Sequence, residues 1–83
     1  MTEISHEDAE EKLRWLEARA EEAYSRMYDS ESGAAATGHY SDAKEFLHDA
    51  AGLARRLGKL EEADRLTQRL AHIKSVFRNQ FSS

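Results

Sequence analysis

The sequence lacks cysteine and proline altogether and has only four glycines in 83 residues. Without cysteine the chain has no disulfide, no thiolate metal ligand and no cysteine nucleophile. Without proline, and with little glycine, few positions interrupt a helix. The formal net charge is −4, and this acidic balance argues against general binding of nucleic acid, which needs a basic surface.

Long hydrophobic runs are missing as well. No segment approaches the roughly 20 apolar residues of a membrane-spanning helix, and the acidic residues 1–12 lack the apolar core of a signal peptide. We therefore expect a cytoplasmic protein. A chain of 83 residues has room for one small domain, residues 1–83, and a core of that size leaves a thin margin of stability.

Apolar residues recur at helical spacing in three segments, which predicts an all-α domain. Helix 1 is expected from about Ser5, a residue type favoured at N-caps, to about Tyr28. Residues 29–39 contain Gly33 and Gly38 among small residues, and we predict a loop there. The apolar stripe of helix 1 has steps of 4, 3, 4, 3 and 4 and consists of Ala9, Leu13, Leu16, Ala20, Ala23 and Met27.

Helix 2 is expected from about Ser41, predicted as its N-cap, to Leu57, and helix 3 from about Leu60 to about Gln80. Gly58 lies between them and tolerates the positive φ of a tight turn. The apolar face of helix 2 is roughly 120° wide, more than one neighbour requires. We therefore predict an up-down-up three-helix bundle with helix 2 in the centre. The face of helix 2 comprises Ala43, Phe46, Leu47, Ala50, Leu53, Ala54 and Leu57, and that of helix 3 comprises Ala63, Leu66, Leu70, Ile73 and Phe77.

The antiparallel hairpin predicted for helices 2 and 3 resembles a single degenerate tetratricopeptide repeat over residues 47–71. The turn Gly-Lys-Leu-Glu-Glu-Ala, residues 58–63, is similar to the turn between the helices of that repeat. The chain departs from the pattern at Thr67, where an aromatic residue is usual, and at Ser75, where proline often ends the repeat. The resemblance implies binding of a protein or peptide, with helix 1 or another chain as the missing neighbouring repeat. Further matching positions are Leu47, Ala50, Ala51, Ala54 and Leu70.

The sequence contains few candidates for catalytic or metal-binding residues. Glu45 and His48 form a Glu-x-x-His unit, the spacing found in di-iron bundles, but such a site needs two of these units and two further carboxylates. Both residues are predicted to point away from the apolar stripe. The remaining histidines, His6, His39 and His72, create no His-x-x-x-His spacing. No glycine-framed nucleophile or phosphate-binding loop is present, so we expect no enzymatic activity, no metal and no cofactor.

Trp15 is the residue that most suggests an interface. It lies roughly 120° around helix 1 from the centre of the apolar stripe, and Arg19, one turn on, is placed for a cation–π contact. Ala20 and Ala23 would permit close approach of a second helix. We predict an interface of Trp15, Arg19, Ala20, Ala23 and Tyr28 for a protein or peptide, including a second copy in a homodimer. In the competing arrangements, Trp15 is partly exposed or the loop 29–39 folds over it.

The alternative function uses the third helix, which is basic and has no acidic residue from Arg65 onward. In this hypothesis the chain is a small regulatory protein that contacts nucleic acid or a membrane surface. Two observations make these partners less favoured: Phe77 belongs to the apolar stripe, and Arg69 and Arg78 lie about half a turn apart around the axis. The basic residues concerned are Arg65, Arg69, Lys74 and Arg78.

Overall fold

The computed structural model describes residues 6–81, which form three α-helices. These are α1, His6–Tyr28, α2, Gly33–Arg56, and α3, Leu60–Phe81. The described part contains no strand, and the predicted all-α bundle is confirmed. It is elongated, with extents of 45 × 22 × 17 Å. As predicted, α2 is central and packs against both other helices. The predicted N-cap Ser5 lies outside the described residues.

Contacts between α1 and α3 give the direction of the helices. Residue numbers increase together along the two helices at each contact, so α1 and α3 are parallel and α2 runs between them in the opposite direction. The up-down-up arrangement follows. The contacts that define this register are Arg65 with Glu17, Arg69 with Glu21, and Gln80 with the carbonyl of Tyr28, and Lys59 in the turn before α3 continues it with Glu10.

The core is formed by the predicted stripes. All six stripe residues of α1 are buried, and Met27, Leu47, Leu66 and Ile73 are the largest side chains that are fully enclosed. Helical periodicity therefore identified the buried seam of α1 completely. Leu57, Leu70 and Phe77 also belong to the predicted stripes, but they are only partly buried.

The connection between α1 and α2 is shorter than the predicted loop 29–39. It comprises residues 29–32, since α2 begins at Gly33, about two turns before the predicted cap Ser41. Ser32 is the N-cap instead, and its Oγ accepts a hydrogen bond from the Ala35 backbone N–H at 3.2 Å. Residues 34–36 are alanines, which offset the helix cost of the nearby glycines, and Ala36 is fully buried.

The connection between α2 and α3 is the tight turn expected at Gly58. This residue has a φ of 74°, and its N–H donates to the carbonyl of Arg55 at 3.0 Å. The Lys59 N–H donates to the carbonyl of Ala54 at 2.9 Å. The two bonds form a Schellman motif, which satisfies carbonyls at the end of α2 and turns the chain back into α3.

Candidate interaction surface

Trp15 lies on the outer side of α1 beside α2 and is 55% exposed. Its ring meets that of Phe46 in an edge-to-face contact, with centroids 5.9 Å apart and an interplanar angle of 90°. The guanidinium carbon of Arg19 is 6.0 Å from each ring centroid. We call Trp15, Arg19 and Phe46 the Trp15 patch. The three groups therefore lie about 6 Å from one another at the surface, with the guanidinium beside both aromatic rings.

Residues 29–32 do not reach this patch. Residue 29 is about 21 Å along α1 from Trp15 at 1.5 Å per residue, whereas four extended residues span about 14 Å. The early start of α2 therefore excludes the arrangement in which a long loop covers Trp15. The arrangement with a partly exposed indole is the one present in the structure.

A shallow groove adjoins the patch between α1 and α2. Its volume is about 230 Å³. Gly52 lies near the C-terminal end of α2 at this groove, and a Cβ built on it would have no heavy atom within 4 Å. The packing of the helices therefore does not require glycine there, and its absence of a side chain leaves the groove open. The groove is lined by Lys12, Leu16, His48, Asp49, Gly52, Leu53 and Arg56.

The five predicted interface residues separate into three locations. Trp15 and Arg19 are together, as their helical spacing predicted. Ala20 and Ala23 are 0% and 7% exposed, and this corrects their expected role, because they belong to the buried stripe and permit close packing within the bundle. Tyr28 is exposed but lies beside Tyr24, with ring centroids 6.3 Å apart, away from the patch.

Phe46 is the member of the patch that the sequence did not reveal. Its place on the wide apolar face of α2 indicated a core residue, yet its side chain is only partly buried. The signal that could have found it is its position at the edge of that face. An edge residue of the central helix lies next to the outer side of α1, where Trp15 is located.

The side of α1 opposite the Trp15 patch forms ion pairs with α3. Arg65 donates to both carboxylate oxygens of Glu17, at 2.7 and 2.9 Å, and Arg69 to both of Glu21, at 2.8 and 2.6 Å. The hydrogen bond from Arg65 lowers the pKa of Glu17 below its ordinary value, and the bond to Glu21 raises the pKa of Arg69. Arg65 also bonds to Glu62 on its own helix.

These ion pairs affect the positive charge that the basic third helix, α3, can offer to a nucleic acid or membrane. Two of its four basic side chains, Arg65 and Arg69, are paired with α1 carboxylates, which reduces the positive potential that this helix presents. Phe77 stacks on Tyr40 with centroids 4.0 Å apart and also contacts Phe81. Both phenylalanine rings are partly buried against the core and are thus engaged within the bundle. Contact with nucleic acid or a membrane surface stays a prediction.

The predicted orientation of Glu45 and His48 agrees with the structure, since both side chains are exposed. Among residues 6–81, no three His, Asp or Glu side chains converge in a way that could hold a metal ion. Within the same range, none of the helices is long and apolar enough to cross a membrane.

Comparison with known proteins gives no relative: no protein-family model, curated protein or solved structure matches the chain. The resemblance of residues 47–71 to a tetratricopeptide repeat stays a prediction.

Proposed function

We propose that this chain is a non-enzymatic, cytoplasmic helical module that binds another protein through the Trp15 patch and the groove beside it. The observation that carries the proposal is the half-exposed indole of Trp15, which has Phe46 and Arg19 beside it. Tryptophan and arginine are among the residue types most enriched at interface hot spots. The resemblance to a tetratricopeptide hairpin suggests the same class of function.

Burial of the exposed part of Trp15 would contribute a substantial free energy of binding. An aromatic side chain of this size offers about 200 Å², so covering the exposed half of Trp15 removes roughly 100 Å² from water. At about 25 cal/mol per Å² this gives about 2.5 kcal/mol before the costs of association. Because Phe46 and Arg19 already contact the ring, little side-chain entropy remains to be lost on binding.

The two sides of α1 differ in their contacts: one side forms ion pairs within the bundle and the other borders an open groove. Toward α3, Glu10, Glu17 and Glu21 all pair with basic residues of α3 or the turn before it. Toward the outside of α2, the groove is open and Gly52 keeps it so at a cost of about 1 kcal/mol of helix stability relative to alanine. A binding role for the α1–α2 side accounts for a glycine that the packing does not need.

Site-specific photocrosslinking in cells tests this proposal. A photoreactive phenylalanine analogue replaces Glu11, which lines a shallow depression with Trp15. The control carries the analogue at Gln68, an exposed position on α3 that lies on the side away from the core. We expect a discrete protein adduct from position 11 that is lost when Trp15 is also changed to alanine. No adduct, or equal adducts from both positions, would contradict a docking surface at the patch.

A further inference from the structure

The outer side of α1 carries a second stripe that runs the length of the helix. Each of its six members directly precedes a residue of the buried stripe, so the steps are again 4, 3, 4, 3 and 4. All six side chains are exposed. A stripe with this spacing is straight enough to follow a second helix. We call it the outer stripe; it consists of Asp8, Lys12, Trp15, Arg19, Glu22 and Arg26.

We propose that a second copy of this chain docks on the outer stripe, with the two α1 helices antiparallel. The inference rests on the proposed function, because it names the protein that covers the Trp15 patch. In this arrangement Lys12 faces Glu22 of the other copy, and Trp15 faces Arg19. Both pairs are centred on position 17 along α1. A single two-fold axis at that level therefore generates both pairs and their symmetry copies.

The charges of the stripe select this register. The outermost pair, Asp8 with Arg26, is symmetric about the same point and is also of opposite charge. Within one chain, Glu22 accepts from both Arg19 and Arg26, each at 3.2 Å, so one carboxylate serves two guanidinium groups. The other copy then adds the carboxylate of Asp8 to Arg26 and the indole face of Trp15 to Arg19.

Two alternative pairings of the same stripe place like charges together. In a parallel pair each residue faces its own copy, so Lys12 meets Lys12 and Glu22 meets Glu22. In an antiparallel pair centred on Trp15, Asp8 faces Glu22. Like charges in contact are disfavoured, which counts against both of these arrangements. The antiparallel pair centred on Glu17 is the arrangement in which every stripe residue meets a complementary one.

The expected complex is weak and reversible. From Asp8 to Arg26 the stripe is about 27 Å long at 1.5 Å per residue, and its apolar content is limited to Trp15 with Phe46 beside it. A contact one helix wide with this composition belongs to the small, transient class of interface. We therefore expect association in the micromolar to high micromolar range.

A charge-complementation experiment tests the register. Lys12→Glu leaves acidic residues at both position 12 and position 22, and Glu22→Lys leaves lysines at both. Each variant alone should show at least a tenfold weaker self-association than the native chain by sedimentation velocity. An equimolar mixture should recover dimers, because both acidic positions of the first variant then face lysines of the second. Matched controls on α3, Lys74→Glu and Asp64→Lys, should leave self-association unchanged.

The outcomes separate this inference from the proposed function. A native chain that stays monomeric up to about 1 mM would overturn the second-copy partner, whereas an adduct with a different protein at position 11 would still support docking at the patch. A dimer that is indifferent to both charge variants, or a mixture that does not recover dimers, would overturn the antiparallel register. Circular dichroism of each variant verifies that the monomer fold is retained.

Discussion

Replacing Gly52 by alanine should stabilise the fold, which is unusual for a substitution at a helix–helix groove. The structure gives the reason: a Cβ at Gly52 meets no heavy atom within 4 Å, and the residue lies in the interior of α2. The change therefore gains helix propensity without a steric cost. The expected gain is about 0.5–1 kcal/mol. For a domain of this size, that corresponds to an increase of about 2–8 °C in the midpoint of thermal unfolding.

Two other glycines provide matched comparisons. Gly38 is also within α2 with open space around its Cβ position, so Gly38→Ala should give a similar gain. The two gains should add, because the positions are about 21 Å apart along the helix. Gly58 has a φ of 74°, and Gly58→Ala should instead destabilise the fold by about 1 kcal/mol, since a side chain is disfavoured in the left-handed region.

The assay is urea and thermal unfolding followed by circular dichroism, at a chain concentration low enough to keep the protein monomeric. Gly52→Ala and Gly58→Ala must change stability in opposite directions. A loss of stability in Gly52→Ala would show that the groove is filled in the free protein or that α2 is not continuous there. Equal effects at the two glycines would refute the distinction between open space and backbone conformation.

Three further predictions concern the core, the cap and the ion pairs. Leu47→Ala, at a fully buried site, should cost about 2–5 kcal/mol by urea unfolding and leave little native protein at 37 °C. Ser32→Ala should cost about 1 kcal/mol in the same assay, whereas Ser41→Ala should cost almost nothing. Glu17→Gln should cost about 0.5–1 kcal/mol at neutral pH. Because Arg65 lowers the pKa of folded Glu17, that difference is present above the unfolded pKa of about 4.3 and should vanish as the pH falls through the folded value.

Periodicity was sufficient to identify the buried seam of α1 and the topology. The six stripe residues of α1 are buried as predicted, because a 3.6-residue repeat leaves one face that can be covered. The start of α2 was not predictable in the same way. Gly33 and Gly38 indicated a loop, but three consecutive alanines and the Ser32 cap outweigh them, and Ala36 gains burial that only the tertiary structure supplies.

The candidate site was predictable in part. The angular position of Trp15 placed it off the core, and the four-residue step placed Arg19 beside it. The contribution of Phe46 required knowledge of how α1 and α2 are aligned, which no local pattern contains. Ala20 and Ala23 were expected at an interface because small residues allow close approach, and within this fold the same property serves contact inside the bundle.

The central claim is that a second copy covers the Trp15 patch, and the fluorescence of Trp15, the only tryptophan in the chain, reports on it directly. Emission and iodide quenching are measured from roughly 1 μM to roughly 1 mM chain, alongside sedimentation. We predict that the emission maximum moves to shorter wavelength and quenching decreases as dimers form, because the indole leaves water. Dimers that form without any change in Trp15 emission or quenching, or a monomer throughout, would contradict the claim.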